Sequence, residues 1–160
     1  MQESPEIKTE VQDDNVRLVI ERLIDTCRDG EEGYRDAGEH ITSTELRTFF
    51  NQQSLERARF AGQLTAELER QGRWQTTRQG SASGTLRRVW FDVERALGGG
   101  DDAILSGVEA GEDAARDAYQ KALEEPGLPE SVRGLIRAQA QTIFAAHDHV
   151  KQLRDSHKAA

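Results

Sequence analysis

Residues 101–136 read DDAILSGVEAGEDAARDAYQKALEEPGLPESVRGLI, and the fold is decided by how this stretch is read. Apolar side chains fall at Ile104, Leu105, Val108, Ala115, Tyr119, Ala122 and Leu123. Steps of three, four and seven place them on one face of a helix. Asp101 and Asp102 put negative charge at the favourable end of that helix's dipole. Pro126-Gly127 breaks the pattern, and Pro129-Glu130-Ser131 opens a new one with Val132, Leu135 and Ile136. Two helices joined by so short a turn form an antiparallel hairpin. Midway along the first of them, between Val108 and Ala115, sits Gly111-Glu112. Glu112 is four residues after one apolar position and three before the next, so a carboxylate is expected on the inner face.

The same signature recurs upstream. Asp29-Gly30-Glu31-Glu32-Gly33 parallels Ala110-Gly111-Glu112-Asp113-Ala114, and each is followed by Arg-Asp-Ala, at 35–37 and 116–118. It lies in a stripe of Val16, Ile20, Leu23, Cys27, Tyr34, Ala37 and Ile41, with Asp13, Asp14 or Asn15 as the expected cap. Residues 1–13 read as a mobile tail. Thr42-Ser43-Thr44-Glu45 supplies a turn and cap for a second stripe, Leu46, Phe49, Phe50, Phe60, Leu64 and Leu68, which Gly72 is expected to stop. Residues 73–83 read as a loop, and residues 84–97 as a short amphipathic helix carrying Leu86, Val89, Trp90, Val93 and Leu97. Trp90 is expected to cap the core. The last stripe runs from Val132 through Ile143, Ala146 and Val150 to Leu153, and residues 156–160 are expected to fray. The expectation is all-α: a four-helix bundle over residues 14–155, built as two antiparallel hairpins joined by a long crossover that contains a short helix.

Composition fits one domain. The chain has 160 residues, 29 acids against 21 Lys and Arg, and a net charge of −8. The single Cys27 excludes an internal disulfide framework and a multi-thiolate zinc site, and it fits a reducing compartment. No apolar run approaches the ~18 residues of a membrane span. The start, MQESPEIKTEVQDD, has five acids, one Lys and no apolar core, so it does not read as a secretory signal. A cytoplasmic protein with no membrane and no nucleic-acid partner is expected. Five Arg near Trp74 and Trp90 in residues 73–97 give only a weak basic-aromatic signal. Residues 98–125 carry −6 and residues 126–160 carry +2, as adjacent packed helices of opposite charge would. Phosphate-loop, nucleophile-elbow and paired-Cys motifs are absent.

Burying an unpaired carboxylate is costly, so inward-facing Glu31 and Glu112 each need a partner, a proton or a metal. Structural partners are available in Arg57, Arg59, Gln53, Gln139, Tyr34 and Tyr119. The alternative is a metal site for iron, manganese or zinc, with Glu31, Glu56, Glu112 and His147 as ligands. His149 and His157 are expected at the surface. His40 is expected as a surface group or a partner of its helix C-terminus.

The segments LIDTCRDGEEGYRDA (23–37), FAGQLTAEL (60–68), the crossover and third helix from Ser83 to Leu123, and AAHDHVKQLRD (145–155) resemble a family of bacterial proteins of unknown function placed in the ferritin-like superfamily. The resemblance spans residues 14–155 and implies a ferritin-like bundle. In that superfamily, di-iron members use one Glu on each of two helices and Glu-x-x-His on each of the other two. Glu31 and Glu112 match the single-Glu positions. Glu56-x-x-Arg59 has Arg where His belongs, and Phe144-x-x-His147 has Phe where Glu belongs. The resemblance implies a fold and no activity; the missing ligands point to a degenerate metal site in a non-enzymatic structural, stress-related or partner-binding protein, with self-association expected and a homodimer as one form it could take. The alternative is a metal-binding protein with oxidoreductase or storage activity on the residual ligands.

Overall fold

A computed structural model describes residues 5–71, 90 and 98–159, with side chains from residue 13 to residue 157. Its four long helices are α1 (Pro5–His40), α2 (Thr44–Arg70), α3 (Asp101–Glu124) and α4 (Glu130–Ala159), and no strand occurs among the described residues. No helix is long and apolar enough to cross a membrane.

Local signals set most helix ends. Ser43 caps α2 by accepting from the Leu46 amide at 3.3 Å. Gly100, at φ +86°, lets the chain turn into α3, and Gly127, at φ +81°, does the same between α3 and α4. Asp101 does more than favour the α3 dipole. Its carboxylate accepts from the Thr42 amide, the Thr42 hydroxyl and the Ser43 amide, which pins the α1–α2 turn to the start of α3.

Two expected boundaries are corrected. α1 starts at Pro5, so residues 5–13 extend the helix, and Asp13, Asp14 and Asn15 lie within it instead of capping it. Proline is well suited to a first helical position, because it lacks an N–H that would go unbonded there anyway. At the other end, α4 continues through residues 156–159. The loop at 73–83, the stop at Gly72 and the short helix at 84–97 fall outside the described residues, apart from Trp90, which is helical.

Helix α1 packs against α2 and α3, and α4 packs against α3 and α2. Cross-helix bonds give the directions. Cys27 meets Tyr119 while Tyr34 meets Glu112, so α1 and α3 run antiparallel. Phe60 meets Gln139 while Glu67 meets Ser131, so α2 and α4 do too. The end of α2 thus lies near the start of α4, and the start of α3 lies near the end of α1. The connection between α2 and α3 must join opposite ends of the bundle. Oppositely charged α3 and α4 are linked by Arg154 to Glu109, His147 to Asp113 and His157 to Asp102.

Two apolar clusters fill the core. One gathers Ile20, Leu23, Phe60, Leu64, Val132 and Ile136. The other gathers Tyr34, Phe50, Trp90, Ile104, Leu105 and Val150. Trp90 is 6% exposed, in keeping with its expected place on the core. Its indole occupies a seat made by two missing side chains. A methyl on Gly33 of α1 would lie 2.0 Å from the ring, and one on Gly111 of α3 would lie 2.4 Å away.

Gly33→Ala and Gly111→Ala should therefore each destabilise the protein by about 1–3 kcal/mol, the range for overpacking a filled site. Gly62, with nothing near its Cβ position, is the control: Gly62→Ala should stabilise by roughly 0.5–1 kcal/mol through helix propensity. Urea unfolding of each variant, alone and combined with Trp90→Ala, checks the cause. The Trp90 replacement should remove most of the penalty at residues 33 and 111.

Candidate functional site

The two clusters meet at a buried polar layer. Arg57 of α2 and Glu112 of α3 are both fully buried, and Arg57 Nη2 donates to Glu112 Oε1 at 2.6 Å. The Tyr34 hydroxyl of α1 donates to the same oxygen. The Arg57 guanidinium also lies over the Tyr34 ring, 5.5 Å from its centroid. Its aliphatic stem passes Gly30, where a methyl would stand 3.4 Å from Cγ. Helices α2 and α3 are diagonal partners without direct backbone packing, so only a long side chain spans them. Burial works against the charge on Arg57, but Glu112 outweighs it and its pKa is raised. Burial, then the Glu112 charge, pushes the Tyr34 phenol well above its ordinary value.

A second layer ties all four helices together. The Tyr119 hydroxyl donates to Gln139 Oε1 at 2.8 Å, so the Cys27 thiol donates to Tyr119 across 3.1 Å. Gln139 Nε2 donates to the Phe60 carbonyl and to Gln63 Oε1. Burial pushes the Cys27 thiol up to about 11, against the opposing effect of its bond to Tyr119. Burial likewise holds the Tyr119 phenol well above its usual value.

Glu112 takes the inward place expected of it, and Arg57 is the partner that neutralises it. Glu31 does not face the interior as expected. It is half-buried and pairs with Arg28 at 3.2 Å. The seam of α1 steps from Cys27 to Tyr34 through Gly30, a three and then a four, while that of α3 steps from Val108 to Ala115 through Glu112, a four and then a three. The repeated Gly-Glu unit is thus turned by one residue between the two helices. Glu56 faces Arg59 of its own helix at 2.5 Å. His147 is buried, but it turns to the α3–α4 edge. Its Nε2 lies 2.6 Å from Asp113 and 3.1 Å from Arg116, and its Nδ1 is 3.1 Å from Asp148. The four candidate metal ligands are therefore engaged in four separate places. Among the described residues no three His, Cys, Asp or Glu side chains gather to hold a metal. These residues do not fit a di-metal centre, because Glu112, the fully buried one among them, is already occupied by a guanidinium.

The remaining candidates sort simply. Arg59 is at the surface with Glu56, and the Gln53 side-chain oxygen is buried without a hydrogen-bond partner among the described residues. His40 Nδ1 lies 2.9 Å from the Asp36 carbonyl in the last turn of α1. His149 is exposed and meets the Phe49 ring edge-on at 4.7 Å, and His157 pairs with Asp102.

A family model described as Domain of unknown function (DUF2383) matches residues 15–125. The chain belongs to this family. No curated protein matches it. The DUF2383 match takes in Tyr34, Arg57, Trp90 and Glu112, hence the whole ion-pair layer. It stops before α4, which supplies Gln139 and His147.

Breaking a buried pair from one side leaves a charge without a partner, so Arg57→Met and Glu112→Met should each cost about 3–5 kcal/mol. The double variant should cost much less than the sum, as a double-mutant cycle by chemical denaturation will show. Cys27, Tyr34 and Tyr119 all hold their protons more tightly folded than unfolded. Their contribution is complete below the unfolded values and is lost as pH rises. Melting temperature should therefore fall as pH climbs from about 9 towards 11, and the native Cys27 thiol should ignore a thiol reagent at neutral pH until the protein unfolds.

Proposed function

We propose that this DUF2383 protein is a non-enzymatic, ferritin-like helical bundle that acts as a structural or partner-binding element, self-association included. The antiparallel pairing of α1 with α3 and of α2 with α4, with a connection joining opposite ends, supports the ferritin-like reading, in which one long crossover is expected. What carries the proposal is the Arg57–Glu112 pair. In a di-iron bundle, inward carboxylates are neutralised by metal. Here the positive charge is part of the polypeptide, is held by a group that does not deprotonate, and cannot exchange, bind oxygen or change oxidation state. A site filled this way fixes the register of a scaffold and does no redox chemistry.

The full chain, incubated with Fe(II), Mn(II) or Zn(II) and freed of loose metal by gel filtration, should retain far less than one ion per chain. Its melting temperature should not change with EDTA. Stoichiometric metal whose uptake is abolished by Glu112→Ala would overturn the proposal and favour metal storage or oxidoreductase activity.

A further inference from the structure

Four polar atoms at the bundle centre are enclosed without a hydrogen-bond partner among the described residues: Arg57 Nε and Nη1, Glu112 Oε2 and Trp90 Nε1. Their side chains belong to one layer. Arg57 and Glu112 are bonded to each other. Trp90 lies on Gly111, the residue before Glu112, and its ring is 5.5 Å from that of Tyr34, which donates to Glu112. Each buried group left unpaired costs about 1–3 kcal/mol, and more when it is charged. Native interiors rarely hold several such groups together.

The chemistry of these atoms selects what would meet them. Three are N–H donors and one is a carboxylate acceptor. An added anion would serve the donors but face Glu112 and leave Oε2 unmet. An added cation would serve Oε2 but face Arg57 and leave the N–H groups unmet. A neutral molecule that both accepts and donates serves both sides, and water is the smallest of these, with two lone pairs and two hydrogens. We infer that the layer is a binding site for at least one internal water molecule, which accepts from Arg57 and Trp90 and donates to Glu112 Oε2. Buried waters of this kind bridge polar groups that the chain itself leaves unpaired. The site is built by the ion pair and stands independently of whether the protein binds metal elsewhere.

Water-selective nuclear Overhauser spectra of the 15N-labelled full chain test it at single atoms. The Trp90 indole proton is assigned from Trp90→Phe or, if that variant does not fold, from Trp74→Phe. The Arg57 Hε signal is read in the same spectra. Both protons should show through-space cross-peaks to a long-lived water; the sign in the rotating frame separates these from direct proton exchange, and their persistence in Tyr34→Phe separates them from relay through the Tyr34 hydroxyl. Absence of a water cross-peak at both protons would overturn the inference. A metal found bound in the separate uptake experiment would leave it standing.

Discussion

The bond from Arg57 to Glu112 joins α2 and α3, a diagonal pair that packing alone does not bring together. Neighbouring helices in the bundle are held by apolar seams, and such seams tolerate small slips because one aliphatic contact replaces another. A guanidinium enclosed in the core tolerates none. Moved by one helical turn, it would face Val108 or Ala115 in place of a carboxylate, and an unpaired buried charge costs several kcal/mol. The pair adds little net stability over an apolar layer of the same shape, since both groups lose their hydration. Its effect is on register: it sets α2 against α3 and, through the Tyr34 hydroxyl, α1 against both.

The glycines follow from this layer. Gly30 leaves room for the Arg57 stem, and Gly33 and Gly111 leave room for the Trp90 indole. Each glycine interrupts a helix that alanine would strengthen by about 1 kcal/mol. The helices keep these weak positions because large side chains from outside α1 and α3 enter there. Trp90 belongs to the connection between α2 and α3, so the seat fixes the connection midway between the ends it joins. It also sets an aromatic ring against Tyr34, the residue that donates to Glu112.

The helical stripes, the turns at residues 42–45 and 126–131 and the inward Glu112 were all legible in the sequence, because three-and-four spacing constrains a face strongly over six or seven positions. Arg57 was legible only as one of several partners, since spacing within α2 does not say which helix an arginine reaches. Glu31 was misread for a definable reason. Between Cys27 and Tyr34 a helix can reach its partner through residue 30 or residue 31, and the two differ by only 100° of rotation. Gly30 has no side chain to register as apolar, so the pattern favoured Glu31. The seat of Trp90 was half visible: the tryptophan was expected on the core, but not the two glycines that receive it. His147 is buried at the α3–α4 edge, where its partners Asp113 and Asp148 give no periodic signal.

The broken symmetry of the two hairpins follows from the same one-residue rotation. Both carry Gly-Glu at the middle of the first helix, and in α3 the Glu lies on the seam, while in α1 the Gly does. Had both carboxylates turned inward, one arginine would have faced two negative charges, and the excess would have had to be met by a metal or a proton. With Glu31 turned out to Arg28, the interior holds one carboxylate and one guanidinium, and the charge closes within the polypeptide. The rotation of α1 by a single position thus changes a layer that would demand a cation into one that already contains it.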